Sequence, residues 1–334
     1  MLTVMLTSPG VNWTYLTTSP AATCTACTFY SITIKSITWS GTQFVAVALS
    51  GAIFTSPDGI TWTTRLAGVS YGVTSYGSLM SVSWSPSLSR YVAVGVGNIM
   101  TSSDGITWTP NTSGAISTSF LYRVIWSGTQ FIAVGNAGII TSGGLSLTSA
   151  NAILTSPDGL TWTPQTSGIP GNLLGVAWSG TRYVAVGDVT LMSTDGINWS
   201  KVADNTTGWT SIVWSGAQFA EVGSSGSIRT SPDGITWTSQ SSQPASLYGV
   251  AWTGVQFVAV GGSGGSAFYG FPGVGGTPGY IATSPDGITW TSRTIGVVGT
   301  TYNTSYSLFD AAWNGSKLVV VGEGTSTYFI YTSP

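Results

Sequence analysis

One motif is written about seven times along these 334 residues. A chain composed that way must fold as stacked copies of one small unit. The unit has two halves. The first reads Val-Ala-Trp-Ser-Gly-Thr, a variable residue, Tyr or Phe, then Val-Ala-Val-Gly, as at 176–187. The second reads Thr-Ser-Pro-Asp-Gly-Ile-Thr-Trp-Thr, as at 55–63. Of the 15 tryptophans, only Trp209 lies outside these halves.

Each unit spells four short strands. Ile37-Thr38-Trp39 and Phe44-Val45-Ala46-Val47 are rich in β-branched and aromatic residues, which suit a pleated, buried surface. Ser40-Gly41-Thr42 turns the chain between them. Ile53-Phe54-Thr55 reads as a third strand and Ile60-Thr61-Trp62-Thr63 as a fourth. Between these, Pro57 presets φ and Gly59 accepts the left-handed conformation that closes a hairpin. No segment has a helical period. The first-strand tryptophans recur at intervals from 36 residues (Trp178 to Trp214) to 61 residues (Trp252 to Trp313). This pattern predicts an all-β fold, a single seven-bladed β-propeller of four-stranded antiparallel blades over 1–334. Blades are expected to start near 37, 82, 124, 176, 212, 250 and 311. The last copy stops at Thr332-Ser333-Pro334, and Ser8 to Thr14 carries the matching fourth-strand sequence. Residues 1–16 are therefore expected to close the ring. Residues 2–9 also read as a third strand, which gives the closing blade one copy too many.

The second half of the unit, as in Ser56-Pro57-Asp58-Gly59-Ile60-Thr61-Trp62, resembles the Asp-box (BNR) repeat of sialidase-like propellers. The family pattern is Ser/Thr-x-Asp-x-Gly-x-x-Trp/Phe; here Asp and Gly are adjacent, so the motif is a variant. The resemblance covers essentially the whole chain and implies the propeller fold. It implies no single function, because hydrolases, lectins, sorting receptors and assembly factors share the repeat. It does imply a structural role for Asp58, Asp104, Asp158, Asp195, Asp233 and Asp286, which in the family bond backbone within the hairpin, far from the active site. The sialidase Phe/Tyr-Arg-Ile-Pro motif is absent, so sialidase activity is not carried over.

Composition removes further classes. Only 6% of residues are charged, and the net charge is −2 with no histidine. There is no basic footprint for nucleic acid. Apolar runs such as 44–49 fall short of the about 20 residues of a membrane helix, so membrane insertion is not expected. The N-terminus has neither the basic region nor the apolar core of a Sec signal peptide. Serine-type catalysis would lack its histidine base. Cys24 and Cys27 form a lone C-x-x-C without a second pair, short of a four-ligand zinc site. They read as a local disulfide or two free thiols, and no metal or cofactor is expected.

The paired tryptophans read as core between blades. The Ser-Gly-Thr and Pro-Asp-Gly turns share one uniform face. The opposite face carries the irregular loops, including insertions at 143–151 and 262–279, and loops on a rigid scaffold are where binding resides. The ligand candidates placed there are Phe268, Tyr269, Phe271, Tyr280, Trp209, Tyr248, Tyr122, Tyr302 and Tyr306, with the acids Asp188, Asp204 and Asp310. A glycosidase needs two carboxylates at suitable separation, for which Asp188 with Asp204, or Asp310 with Glu323, are the available pairs; otherwise these are solvated loop acids. Glu221 replaces a repeat alanine and either pairs with Arg229 or faces the channel. Gln43, Gln130, Gln218 and Gln256 share one slot with Arg90, Arg182 and Lys317, which reads as solvated polar cover.

The expected function is non-enzymatic recognition or structure on an outer surface, as a phage virion or tail-fibre protein or a secreted adhesin. Its partner would be a glycan or a protein receptor, with neighbouring virion subunits as further partners. The alternatives are an Asp-box-type glycoside hydrolase, and a scaffold docking through the uniform face.

Overall fold

The computed structural model describes residues 2–4, 13–15, 33–66, 77–111, 119–141, 144–205, 208–262, 279–293, 306–324 and 328–333. Cys24 and Cys27 lie outside them. Six sheets have four antiparallel strands each and span 34–66, 79–110, 119–165, 173–204, 209–239 and 246–293, here blades one to six. The closing sheet has five strands. From the inside these are Tyr306–Trp313, Leu318–Gly324, Tyr328–Ser333, Trp13–Tyr15 and Leu2–Val4. The four-stranded blades thus number six, not the seven expected. The reason is the duplicated third strand. Tyr328–Ser333 pairs with Trp13–Tyr15 through Thr14 and Thr332, and Leu2–Val4 adds to the other edge of Trp13–Tyr15 as a local hairpin.

The innermost strands are Ile34–Trp39, Leu79–Ser85, Ser119–Trp126, Leu173–Trp178, Trp209–Trp214, Ser246–Trp252 and Tyr306–Trp313. Each touches the next and the last touches the first, so they ring a central axis. The blades begin a few residues earlier than the sequence pattern suggested. Second strands are mostly apolar because a blade is covered on both faces. Phe44 and Ala46 pack against Val319 and Val321 of the closing blade, while Val45 and Val47 pack against Tyr91 and Ala93 of blade two. Burying a side chain of this size stabilises the fold by about 1.5–3 kcal/mol.

The Asp-Gly turn is longer than expected. Ile60, Thr61 and Trp62 belong to it, and the fourth strand starts only at Thr63. Asp58 Oδ1 accepts from Ser56 Oγ and from the amides of Ile60 and Thr61, which holds that backbone in the turn. The indole of Trp62 donates to the carbonyl of Gly59 at 3.1 Å. Asp104, Asp158, Asp195, Asp233 and Asp286 repeat the arrangement. Gly59 has φ +74°, and a Cβ there would stand 2.7 Å from Val319 of the closing blade. The glycine thus serves the turn and the blade contact together.

The slot read as polar cover is an inter-blade clamp. Gln43 donates to the carbonyl of Asp104 in the next blade at 2.7 Å, Gln130 to Asp195 at 2.9 Å, Arg182 to Asp233 at 2.9 Å and Gln218 to Asp286 at 2.6 Å. Arg90 does the same to Asp158, and Lys317 ties the closing blade to Asp58 of blade one at 3.0 Å. The inserted segment at 143–151 is largely strand, since Phe131–Thr141 and Gly144–Ser156 form one long hairpin. Among the described residues no helix is long and apolar enough to cross a membrane.

Candidate axial binding site

Every innermost strand carries a β-bulge at the same place. The register to the second strand shifts between Ile34 and Ser36, Leu79 and Ser81, Leu121 and Arg123, Leu173 and Gly175, Trp209 and Ser211, Leu247 and Gly249, and Leu308 and Asp310. The chain comes very close at this point. A Cβ on Gly187, the last residue of Val-Ala-Val-Gly, would stand 2.1 Å from the carbonyl oxygen of Asn172. This explains the glycine that ends the first half of the repeat. A bulge leaves one residue unpaired and re-aims its side chain. The seven residues so freed are Lys35, Met80, Tyr122, Leu174, Thr210, Tyr248 and Phe309, one per blade. All seven line one axial cavity, together with Arg123 and Ser211.

The next residue of each strand forms a second ring: Ser36, Ser81, Arg123, Gly175, Ser211, Gly249 and Asp310. Its serines sew neighbouring strands together. Ser36 Oγ accepts from the amide of Val82, Ser81 Oγ from Val124 and Ser211 Oγ from Val250. Its two charges meet across the axis. Arg123 reaches past the inner strands of blades one and two to pair with Asp310 at 3.1 Å. Asp310 Oδ2 also accepts from Ser36 Oγ at 2.8 Å and from the amide of Ile37 at 3.2 Å. Arg123 lines the small cavity on one side and a larger one on the other, so it divides the channel.

The larger cavity has a volume of about 580 Å³. It lies toward the Ser-Gly-Thr turns and is walled by Trp39, Trp126, Trp178, Trp214, Trp252 and Trp313. These indoles are half-buried, and all but Trp313, whose second strand begins with Leu318, pack on the aromatic ring that begins the second strand, as Trp178 on Tyr183 with centroids 4.0 Å apart. Between them stand small or aliphatic residues such as Thr38, Ala177 and Ala251. The sequence placed these tryptophans in the core. They are core on one side and cavity wall on the other, because the innermost strand of a blade turns its free edge to the axis.

The expected ligand residues scatter. Tyr122 and Tyr248 do line the small cavity. Trp209 is not a loop residue: it opens the inner strand of blade five, 6% exposed, in the place held by Leu or Ile in the other blades. Asp310 is not a solvated loop acid either. It is 2% exposed within an inner strand, and Glu323 is buried on the neighbouring strand, where it accepts from Thr33 at 2.6 Å. Asp188 is exposed and accepts from the amide and side chain of Asn172 at 2.9 and 2.7 Å. Asp204 is an exposed partner of Lys201 on an outer strand. Neither acid lines either of the two axial cavities. Tyr280 donates to Gln243 at 2.7 Å within blade six, and burial raises its hydroxyl pKa. Tyr306 opens the inner strand of the closing blade, opposite Gly324. Phe268, Tyr269, Phe271 and Tyr302 lie outside the described residues.

Missed by the sequence reading were Lys35, Met80, Leu174, Thr210 and Phe309. Their signal was available: each stands four residues before a first-strand tryptophan, where the repeat is least uniform. Burial pushes the Lys35 ammonium down to about 8, against the pull of Glu323. Burial raises Glu323 in turn, with Thr33 and Lys35 opposing. Glu221 lines neither axial cavity. Arg229 Nε donates to its Oε1, and the guanidinium lies 4.5 Å from the Trp209 ring and 4.7 Å from the Trp237 ring. Burial pushes the Glu221 carboxyl up to about 8 despite that partner.

No protein-family model and no curated protein sequence matches the chain. Solved structures do. YCF48 bound to D1 peptide aligns over 99% of this chain and 97% of its own, at TM-score 0.64 and 14% identity. YCF48 from Cyanidioschyzon merolae aligns over 96% and 98%, at TM-score 0.62 and 15% identity. The WD40 β-propeller domain of Doa1 aligns over 92% and 94%, at TM-score 0.64 and 8% identity. The chain is an all-β propeller of four-stranded antiparallel blades.

Proposed function

We propose that this chain is a non-enzymatic recognition propeller of the Asp-box repeat type, and that a protein segment binds in its tryptophan-walled cavity. The carrying observation is that cavity: about 580 Å³, with six indoles contributed by six different sheets. Concave, apolar, aromatic-lined sites with a few polar groups are where ligands bind. Indoles supply large contact area at little entropic cost. No carboxylate lines either axial cavity, which favours binding over glycoside hydrolysis. YCF48, a similar fold, has been seen with a bound peptide.

A glycan is the second reading, because indole faces also stack on sugars. Docking as a scaffold is the third, favoured by Ile106, Leu160, Ile197, Ile235 and Ile288, which expose an aliphatic side chain after each Asp-Gly turn. Placement on a virion surface or outside the cell fits a surface made soluble by Ser, Thr and Gly with only 6% charged residues.

The test is a peptide array and a glycan array probed with the full chain and with Ala251→Trp, which narrows the cavity by putting an indole at its wall. Peptide hits that vanish in a folded Ala251→Trp variant are the expected result. Hits confined to glycans transfer the site to the second reading. Binding that is untouched by the substitution overturns the cavity assignment.

A further inference from the structure

The other end of the channel differs in chemistry. It is lined by two cations and no carboxylate. Lys35 is the bulge residue where the other blades place Met, Tyr, Leu, Thr, Tyr and Phe. Its ammonium sits 3.6 Å from the centroid of the Phe309 ring, and among the described residues it donates to no acceptor. Of the nearby acids, Asp310 is held by Arg123, Ser36 and Ile37, while Glu323 accepts from Thr33 through Oε2 and its Oε1 is buried without a hydrogen-bond partner. Glu323 acts on Lys35 through its charge alone. Lys35 is half-buried and its ammonium has no hydrogen-bonded counter-charge among the described residues, so an anion in the cavity would supply the partner it lacks. Arg123 adds a second donor at the cavity floor, with its side chain 25% exposed.

Size narrows the anion. The cavity measures about 70 Å³, room for a few waters at roughly 10–15 Å³ each. That admits a carboxylate on a short stem and excludes a sugar ring or a nucleotide. The wall beside Lys35 is aromatic, from Tyr122, Tyr248 and Phe309, which suits an apolar stem. We propose that this cavity captures a carboxylate group, with Lys35 as its charge partner, Arg123 as second donor, and the ring of bulge residues selecting the stem. The site is separate from the tryptophan-walled cavity, and stands or falls without it.

The carboxylate belongs either to a small free acid or to the terminus or acidic side chain of a peptide. Calorimetric titration of the full chain separates these. The probes are propionate, propionamide, and one acetylated tripeptide ending in leucine, as free acid and as amide. Binding of propionate but not propionamide assigns a free acid. Binding of the peptide acid alone, but not its amide, assigns a peptide. Lys35→Met, which copies Met80 of blade two, is expected to weaken either acid by at least about tenfold, while Lys35→Arg retains most of the affinity.

Affinity is expected to fall as the pH rises from neutral to about 9. Lys35, whose pKa burial lowers to about 8, loses its proton over that range, and ionisation of Glu323, whose pKa burial raises, adds repulsion. Equal binding of acid and amide by the wild type, or no binding of any acid, overturns the proposal without recourse to a variant. Undiminished binding by a folded Lys35→Met protein does so as well.

Discussion

Replacing Arg229 by Met while leaving Glu221 in place isolates a buried ion pair that the repeat does not need. In the same cross-strand position the other blades pair Ala46 with Phe54, Ala93 with Met100, Ala133 with Leu154, Ala185 with Leu191 and Ala259 with Ala282. Blade five alone has Glu221 opposite Arg229. Glu221 is fully buried, and its Oε2 has no hydrogen-bond partner. Arg229→Met strands that carboxylate, and removing one member of a buried pair costs about 3–5 kcal/mol. Glu221→Ala costs less, about 1–3 kcal/mol, because Arg229 keeps Thr190, Asn205 and two indole faces. The double variant restores the Ala–Met pair of blade two. It is expected within about 2 kcal/mol of wild type on either side, since well-packed apolar replacements of buried pairs are neutral or stabilising. Urea unfolding of the four proteins measures the cycle. pH gives an independent reading. The folded pKa of Glu221 lies above its unfolded value, so the native state binds the proton more tightly than the unfolded chain. The contribution of Glu221 to wild-type stability is therefore greatest below about pH 4.5 and declines as the pH rises toward 8. The double variant lacks that decline. A double variant as unstable as Arg229→Met, with the pH slope intact, would refute the reasoning.

Gly196→Ala is expected to destabilise by about 2–4 kcal/mol, as the sum of left-handed strain and overpacking; φ there is +77° and the new Cβ would meet Ile132 of blade three at 2.6 Å. Thermal unfolding checks it. Gln130→Ala removes one inter-blade clamp and is expected to cost about 1 kcal/mol, whereas Gln256→Ala reports whether the clamp continues onto the closing blade. Backbone hydrogen bonds hold Asp104, Asp195, Asp233 and Asp286 below the usual carboxylate range. At Asp58 and Asp158 burial pushes upward and the summed hydrogen bonds outweigh it. Depressed folded pKa values contribute stability above the unfolded value and lose it as the pH falls through the folded one. Acid unfolding is therefore expected below about pH 4, and Asp195→Asn in a urea titration at pH 3 and pH 6 is expected to show a smaller acid loss than wild type.

Much of the fold was legible because the repeat states its own geometry. A Pro-Asp-Gly turn is local chemistry: one carboxylate, two amides and one left-handed glycine settle it within five residues. The Val-Ala-Val runs declared strands covered on both faces. The tryptophans declared blades, although which of their sides met solvent was not written in them. What misled was the reading of irregularity as loop. Asp310, Glu323 and Trp209 look like departures at the edge of the pattern, yet all three lie in strands, Asp310 and Trp209 in innermost ones and Glu323 in a second strand. Their spacing from the tryptophans held that information, but only alignment on the bulge reveals it.

The sequence by itself determined the blades, their turns and the order in which they follow, since each depends on contacts a few residues apart. It also determined the ionic poverty, with 6% of residues charged and no histidine. Only the tertiary structure decided what occupies the axis. Lys35, Arg123, Tyr248 and Phe309 are scattered over 275 residues (Lys35 to Phe309) and become neighbours because a ring brings the same position of every blade to one point. The closing blade was decided there too. Two segments competed for its third strand, and the pairing of Trp13–Tyr15 with both was a choice that backbone hydrogen bonding between distant ends had to make.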